Sequence, residues 1–161
     1  MTTTPLQIWV CAAHHPAFRC GGWAWLRRNQ GEVAGAAGGE RNTTAGRMAL
    51  SALASALRGL PQGHDLGSIR IQMTSAELAI LPGILAGRAQ PEEDLDLWAQ
   101  IAIAAKSYRL DLVRVPVDPA TPTAFAAAWA NLAMDKAKAT GPFTAAIPKT
   151  NLAKAPGLAV G

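Results

Sequence analysis

Apolar and polar residues alternate near the start of the chain, as they do in a strand that buries one face. This period of two covers residues 6–11, and the aromatic residues of segment 23–26 also favour a strand. The adjacent Gly21 and Gly22 indicate a turn or a close approach of two backbones. Residues 32–39, mostly glycine and alanine, predict a third and weaker strand. This opening segment therefore predicts an antiparallel meander.

Helical spacing appears after the meander. Leucines recur three or four positions apart from Leu50 to Leu60, which predicts an amphipathic helix that Pro61 ends. Alternation with a period of two returns at residues 69–73 and 110–117, which predict a fourth and a fifth strand. Helices that alternate with strands after a meander imply a mixed sheet with helices packed on it.

Two segments between the fourth and fifth strands predict further helices. Residues 74–77, Thr-Ser-Ala-Glu, have the form of a capping box in which Glu77 is the capping carboxylate. Residues 96–105 follow an acidic segment, 91–94, whose carboxylates suit the positive end of a helix dipole. The face of this helix predicted to be buried carries Leu97, Trp98 and Ile101.

The last predicted helix carries three large apolar side chains at helical spacing, and we expect them to face the core. They are Phe125, Trp129 and Leu132. Beyond Thr140, proline, glycine, alanine and lysine follow without periodicity, which predicts a flexible tail. The sequence thus predicts one domain at residues 1–139 and a tail at residues 140–161.

Composition narrows the class of protein. The chain has 161 residues, 50% of them hydrophobic and 16% charged, which excludes a disordered chain and suits one domain. No apolar stretch is long enough for a bilayer, and the N-terminus lacks the features of a signal peptide, so we expect a cytoplasmic protein without a membrane partner. The net charge of +4 is a mild basic excess, and no acid precedes Glu32.

Two cysteines bracket a pair of histidines in the first hairpin. Cys11 and Cys20 flank His14 and His15, but their spacing matches no usual zinc pattern. Two reduced thiols are the favoured interpretation for a cytosolic chain. A metal site and a cross-hairpin disulfide remain as alternatives.

Residues 21–26, 44–50, 96–98 and 129–133 are four segments that, in this order, resemble type 1 ribonuclease H. Residues 21–26, Gly-Gly-Trp-Ala-Trp-Leu, are similar to its second strand, and residues 44–50, Thr-Ala-Gly-Arg-Met-Ala-Leu, to the start of its first helix. Residues 96–98, Asp-Leu-Trp, resemble a later helix start, and residues 129–133 resemble the final helix. The resemblance implies an α/β fold: a five-stranded mixed sheet with its first three strands antiparallel and helices on both faces.

The same resemblance implies an activity that this chain lacks the ligands for. Ribonuclease H cleaves the RNA strand of an RNA–DNA hybrid with two magnesium ions, which need carboxylates from separate elements. The matching positions hold Cys11, Ala49, Ser75 and Ala130, and none is a carboxylate. A shift of one or two residues at Ser75 would bring Glu77 near the site, but one acid cannot hold two ions. The sequence therefore predicts a pseudoenzyme without a metal or other cofactor.

A cluster of polar and basic residues at the start of the chain is the predicted nucleic-acid interface, because cations there can neutralise phosphates. In the family this region borders the groove for the hybrid. The predicted binding residues are His14, His15, Arg19, Arg27, Arg28, Thr44 and Arg47. Alternatively, Arg27 and Arg28 are solvated charges at a strand end, and Arg47 is an ordinary side chain of a helix start.

Three functional hypotheses follow from these features. The chain is a non-catalytic module that binds an RNA–DNA hybrid or duplex, which is the interpretation we favour by a narrow margin. Alternatively it is a protein-interaction or structural module with a vestigial groove. Active hybrid cleavage is the third hypothesis and has the least support, because the metal ligands are missing.

Overall fold

The computed structural model describes residues 6–29, 31–64 and 66–158, and the side chain of Glu77 lies outside this description. The strands are β1 Leu6–His15, β2 Cys20–Asn29, β3 Glu32–Glu40, β4 Ser68–Met73, β5 Arg109–Arg114 and β6 Phe143–Ala146. The helices are α1 Ala45–Leu57, α2 Leu81–Leu85, α3 Leu95–Ala105, α4 Pro122–Thr140 and α5 Lys149–Leu152, with a 3₁₀ helix at Ala76–Ile80.

All six strands belong to one mixed sheet with the order β5-β4-β1-β2-β3-β6. The pairs β1–β2 and β2–β3 are antiparallel, so the predicted meander is confirmed. The pairs β1–β4 and β4–β5 are parallel, as helical crossovers require. The predicted α/β class is confirmed, with helices on both faces of the sheet, but the predicted number of five strands is wrong.

The additional strand comes from the segment beyond Thr140. Strand β6 pairs antiparallel with β3, and the chain then continues into α5. Ile147, Leu152 and Leu158 are at most 3% exposed and pack against the sheet. The prediction of a flexible tail is therefore wrong up to Leu158. These apolar residues stand between prolines and glycines without a helical or strand period, so the pattern did not reveal them.

One face of the sheet packs large aliphatic side chains under α1 and α3. Helix α1 begins where Thr44 caps it, since the Thr44 hydroxyl accepts a hydrogen bond from the Arg47 amide at 3.1 Å. It ends at Leu57, one turn before the predicted end near Leu60. The fully buried residues of this first cluster include Ile8, Met48, Leu53, Ile69, Ile71 and Ile101.

The other face packs α4 very close to strands β1, β2 and β3. A Cβ atom built on Gly22 would lie only 2.1 Å from the carbonyl oxygen of Ala130, so no larger residue fits there without moving the helix. Small side chains therefore line the buried stripe of α4. They are Ala126, Ala130, Ala133 and Ala137.

This close approach corrects the predicted orientation of the last helix. Leu132 is 61% exposed, and Phe125 and Trp129 are half-buried at the edge of the second cluster. The large side chains at helical spacing therefore flank the contact, because only alanine fits between the helix and the strand glycines. The predicted burial of Leu97, Trp98 and Ile101 on α3 is confirmed.

The predicted capping box does not form as written. The residue that starts the 3₁₀ helix is Ser75, and its side chain makes no capping hydrogen bond. The hydroxyl of Thr74 donates to the sulfur of Cys11 at 3.7 Å instead. The capping role predicted for Glu77 falls on a side chain outside the described residues. Strand β5 is also shorter than predicted, since Val115 and Val117 follow its end.

Candidate functional site

Cys11 stands on β1 at the first of the four positions that the resemblance assigns to metal ligands. Its side chain is 2% exposed, its Sγ donates to the carbonyl oxygen of Thr123 at 3.4 Å, and it accepts from Thr74. Burial raises the pKa of the Cys11 thiol from its ordinary value of 9.0 to about 11. The thiol is therefore protonated at neutral pH, whereas a thiolate is the form that binds metals.

The other three positions cannot supply the missing carboxylates. Two of them are alanines, and the third, Ser75, has a single hydroxyl. Ala130 lies in the same cluster as Cys11 beneath α4, and Ser75 follows Thr74, whose hydroxyl contacts Cys11. Ala49 belongs to α1 and packs in the first cluster, on the opposite face of the sheet. Within residues 6–29, 31–64 and 66–158, no three histidine, cysteine, aspartate or glutamate side chains come together as metal ligands. These residues do not fit two magnesium ions, because magnesium requires several hard oxygen ligands.

The two cysteines do not face each other across the first hairpin. Cys11 pairs in register with Ala24, and Cys20 pairs with His15. Both cysteines are free and buried. This geometry is the one expected for two separate thiols.

Two of the predicted phosphate-binding arginines hold the fold together. Arg27 donates to the carbonyl oxygen of Ala56 at 2.8 Å and lies over the Trp25 ring, and its half-buried position lowers its pKa. Arg28 lies over the Trp9 ring. It also donates to the carbonyl oxygens of Gly157 and Leu158, at 3.1 and 3.0 Å. Both guanidinium groups therefore already have hydrogen-bond partners within the protein.

Arg47 is the centre of an ion-pair network at the start of α1. Its guanidinium lies 3.1 Å from Glu40, 3.0 Å from Asp94 and 3.3 Å from Asp96. These carboxylates raise the pKa of Arg47, and Arg47 lowers the pKa of Asp96. Asp94, predicted as a charge at a helix start, and Asp96, in the first turn of α3, thus join α3 to α1 and β3. The positive charge of Arg47 is neutralised within the protein.

The structure gives His14 and Thr44 internal partners as well. His14 Nε2 donates to the carbonyl oxygen of Thr43 at 2.9 Å. The Thr44 hydroxyl is the cap of α1, although Thr44 itself is exposed. These two residues position the end of the first hairpin beside the start of α1.

The turn between β1 and β2 carries the remaining predicted residues, His15 and Arg19. His15 is half-buried, its ring lies 4.8 Å from that of Phe18, and its buried Nδ1 has no protein partner among the described atoms. Arg19 is exposed in the left-handed region with φ of 52°. Lys138 from the last turn of α4 places its Nζ 3.8 Å from the centre of the exposed Phe18 ring. This group, His15, Phe18, Arg19 and Lys138, is called the hairpin patch below.

Sequence reasoning missed two members of the hairpin patch. Phe18 stands alone in a turn of small and polar residues, and Lys138 is more than a hundred residues away in the chain. The segment after β3 contacts both elements. The Arg41 guanidinium donates to the carbonyl oxygens of Ala137 and Lys138, both at 3.0 Å, and the Thr43 amide donates to the carbonyl oxygen of Arg19 at 3.0 Å. A lone aromatic residue next to an arginine in a hairpin turn was the available signal.

The meander, the parallel β4 and β5, and α4 packed across the first three strands define a ribonuclease H-like fold. Solved structures agree. The N-terminal RNase H domain of Rv2228c from Mycobacterium tuberculosis, solved as a fusion with maltose-binding protein, superposes with a TM-score of 0.63. The match covers 85% of this chain and 97% of that one, with 19% sequence identity.

LC11-RNase H1, solved in complex with an RNA/DNA hybrid, superposes with a TM-score of 0.61. That match covers 82% of this chain and 98% of the other, again with 19% sequence identity. No protein-family model and no curated protein matches the chain. The likeness therefore establishes the fold. Among the described helices, none has the length and apolar character needed to cross a membrane.

Proposed function

We propose that this protein is a catalytically inactive ribonuclease H-like module that binds an RNA–DNA hybrid or duplex through the hairpin patch. The observation that carries the proposal is the exposed Phe18 ring, 58% accessible, with Lys138 against it and Arg19 next to it. An aromatic ring beside cations suits stacking on a base together with phosphate contacts. The ribonuclease H1 that shares this fold was solved with an RNA/DNA hybrid, which favours the same class of ligand.

The proposed inactivity rests on the positions that correspond to the metal ligands. The thiol of Cys11 is buried and protonated, and the methyl groups of Ala49 and Ala130 cannot coordinate an ion. Without carboxylates there is no charge to hold the two ions that activate water in this class of nuclease. Active cleavage stays the least supported hypothesis. A cytoplasmic location also stays a prediction from the sequence.

The predicted binding residues contribute unequally to this proposal. His15 and Arg19 lie in the hairpin patch, and Thr44 is exposed beside it. By contrast, Arg27, Arg28 and Arg47 are engaged within the protein, and His14 donates to Thr43. This engagement favours the second candidate, a protein-interaction module, to the extent that few cations remain for phosphates. We therefore expect weak binding with a shallow dependence on salt.

The decisive experiment measures binding and cleavage together. Labelled RNA–DNA hybrid, duplex DNA and single strands are titrated with the protein at two salt concentrations, with magnesium or manganese present. We expect intact substrate and an affinity for hybrid or duplex that falls as salt rises. Cleavage that a chelator abolishes would contradict the proposed inactivity. If the protein bound no nucleic acid at low salt, the binding proposal would be wrong and the protein-interaction module would remain.

A pair of variants locates the interface. Arg19→Glu/Lys138→Glu reverses two charges of the hairpin patch and should lower the affinity about tenfold or more. Arg70→Glu/Lys106→Glu makes the same change in charge at two exposed residues, one on β4 and one directly after α3, and is the matched control. Equal losses in the two variants would show a general charge effect and remove the hairpin patch from the proposal.

A further inference from the structure

A second surface feature lies on the other side of the α1 N-terminus. Leu50, Ile80 and Trp98 line a groove of about 470 Å³ between α1, the 3₁₀ helix and the segment before α3. This volume lies in the range of ligand-binding clefts, roughly 300–1,000 Å³. Leu50 and Trp98 are nearly buried beneath it, whereas Ile80 is 58% exposed. The floor is thus apolar, and Ile80 supplies most of its accessible surface.

The rim of the groove is acidic, although the chain as a whole is basic. Glu92, Glu93 and Asp94 line it, and both glutamates are exposed. Asp94 is paired with Arg47, but neither glutamate forms an ion pair with any residue that the structure describes. The nearby Arg47 is already shared by three carboxylates, so it does not neutralise the rim. An apolar floor with uncompensated negative charges selects for an apolar group flanked by cations.

We propose that this groove binds a segment of a partner protein that presents a bulky apolar side chain next to lysine or arginine. The apolar side chain lies against Ile80, Leu50 and Trp98, and the cations lie against Glu92 and Glu93. The same carboxylates repel phosphates, so a nucleic acid does not fit here. Thr44, one of the predicted nucleic-acid-binding residues, also lines the groove, but none of the four residues of the hairpin patch does. This inference therefore stands whether or not the hairpin patch binds nucleic acid.

Peptides of defined composition test the proposal by fluorescence anisotropy. The probe is a short labelled peptide with two leucines one helical turn apart and lysine at most other positions. One reference peptide replaces lysine by glutamate, and another replaces leucine by serine. We expect saturable binding of the probe, and neither reference peptide should bind.

Two double variants of equal charge change locate the site. Glu92→Lys/Glu93→Lys should weaken binding of the probe about tenfold, because both rim charges reverse. Glu32→Lys/Asp135→Lys reverses two exposed acids on β3 and α4 and should change it less than about twofold. Ile80→Ser should also weaken binding, and because Ile80 is largely exposed the fold should tolerate it.

Several outcomes would overturn the proposal. Equal weakening by the two double variants would show non-specific attraction of a basic peptide. Equal binding of the serine peptide would show that the apolar floor is not used. If the protein alone self-associates, and Glu92→Lys/Glu93→Lys abolishes that association, a second copy occupies the groove instead of a partner.

Discussion

The two faces of the sheet are packed by different means. Under α1 and α3, branched and long aliphatic side chains such as Leu53 and Ile71 interlock, and burial of apolar area stabilises the contact. Under α4, glycine and alanine bring a helix almost onto the strands, and the contact depends on close fit. The face with small residues is also the one that holds Cys11 and Ala130. Two of the positions assigned to metal ligands are therefore part of a tightly closed interior.

The difference has a consequence for how each face tolerates change. A face made of large side chains loses stability when a side chain is shortened, since a cavity remains. A face made of close backbone contacts loses stability when a side chain is enlarged, since the helix must move. The predictions below therefore test how closely α4 and the segment after it pack on the second face.

The largest expected effect comes from removing residues 141 onward. The truncation exposes the second cluster and deletes Ile147, Leu152 and Leu158, each worth roughly 1.5–3 kcal/mol of burial. The loss is comparable with the total stability of a small domain, about 5–15 kcal/mol. We expect the truncated protein to lose cooperative unfolding, measured by circular dichroism in urea.

The exposed side chains of the same segment provide the control for this truncation. Lys149→Ala/Lys154→Ala changes two exposed residues and should shift the free energy of unfolding by less than about 0.5 kcal/mol. If the truncated protein kept the urea midpoint of the full chain, residues 141 onward would not stabilise the fold, as the sequence-based prediction of a flexible tail implies.

The face with large side chains was predictable and the other was not. Leu50 and Leu53 at helical spacing, and Ile69 and Ile71 in alternation, identify α1 and β4 because burial of large apolar residues leaves a periodic pattern. The alanine stripe leaves no such pattern, since alanine is common on all sides of α4. Only the glycine pair at 21–22 signalled the close approach.

The candidate site, like the fold, was predictable only in part. Most of the predicted residues lie near the first hairpin turn and the start of α1, but Arg27 and Arg28 lie at the opposite end of β2. Their partners depend on tertiary contacts that no local pattern encodes. Asp94 and Asp96, which engage Arg47, are distant in sequence. The groove beneath Glu92 and Glu93 is likewise formed by segments that the fold brings together.

A smaller effect tests the close fit of α4 directly. Gly22→Ala places a methyl group 2.1 Å from the Ala130 carbonyl oxygen and 2.4 Å from the Met134 amide nitrogen. Because both neighbours are backbone, α4 must shift, and we expect a loss of about 3 kcal/mol in the free energy of unfolding. Chemical denaturation in urea measures it.

The matched control for this substitution is Gly83→Ala in α2. A Cβ atom there meets nothing within 4 Å, so the stability should stay unchanged or rise by less than about 1 kcal/mol. Equal effects of the two substitutions would contradict the close packing of α4 on β2.

The smallest expected effect is a pH dependence that originates in the closed face. The pKa of the Cys11 thiol is about 11 in the folded protein and 9.0 when it is solvated, so the unfolded chain releases this proton first. The contribution to stability is therefore complete below about pH 9 and declines as the pH rises towards 11. By pH 11 the loss of stability should reach about 2 kcal/mol, since each pKa unit corresponds to roughly 1.4 kcal/mol. The free energy of unfolding of Cys11→Ala should consequently fall less steeply between these pH values than that of the unmodified protein.

The raised pKa of Tyr108 contributes equally to both proteins and cancels in the difference. Identical slopes would mean that water reaches Cys11, and with it the positions beneath α4 that we regard as closed.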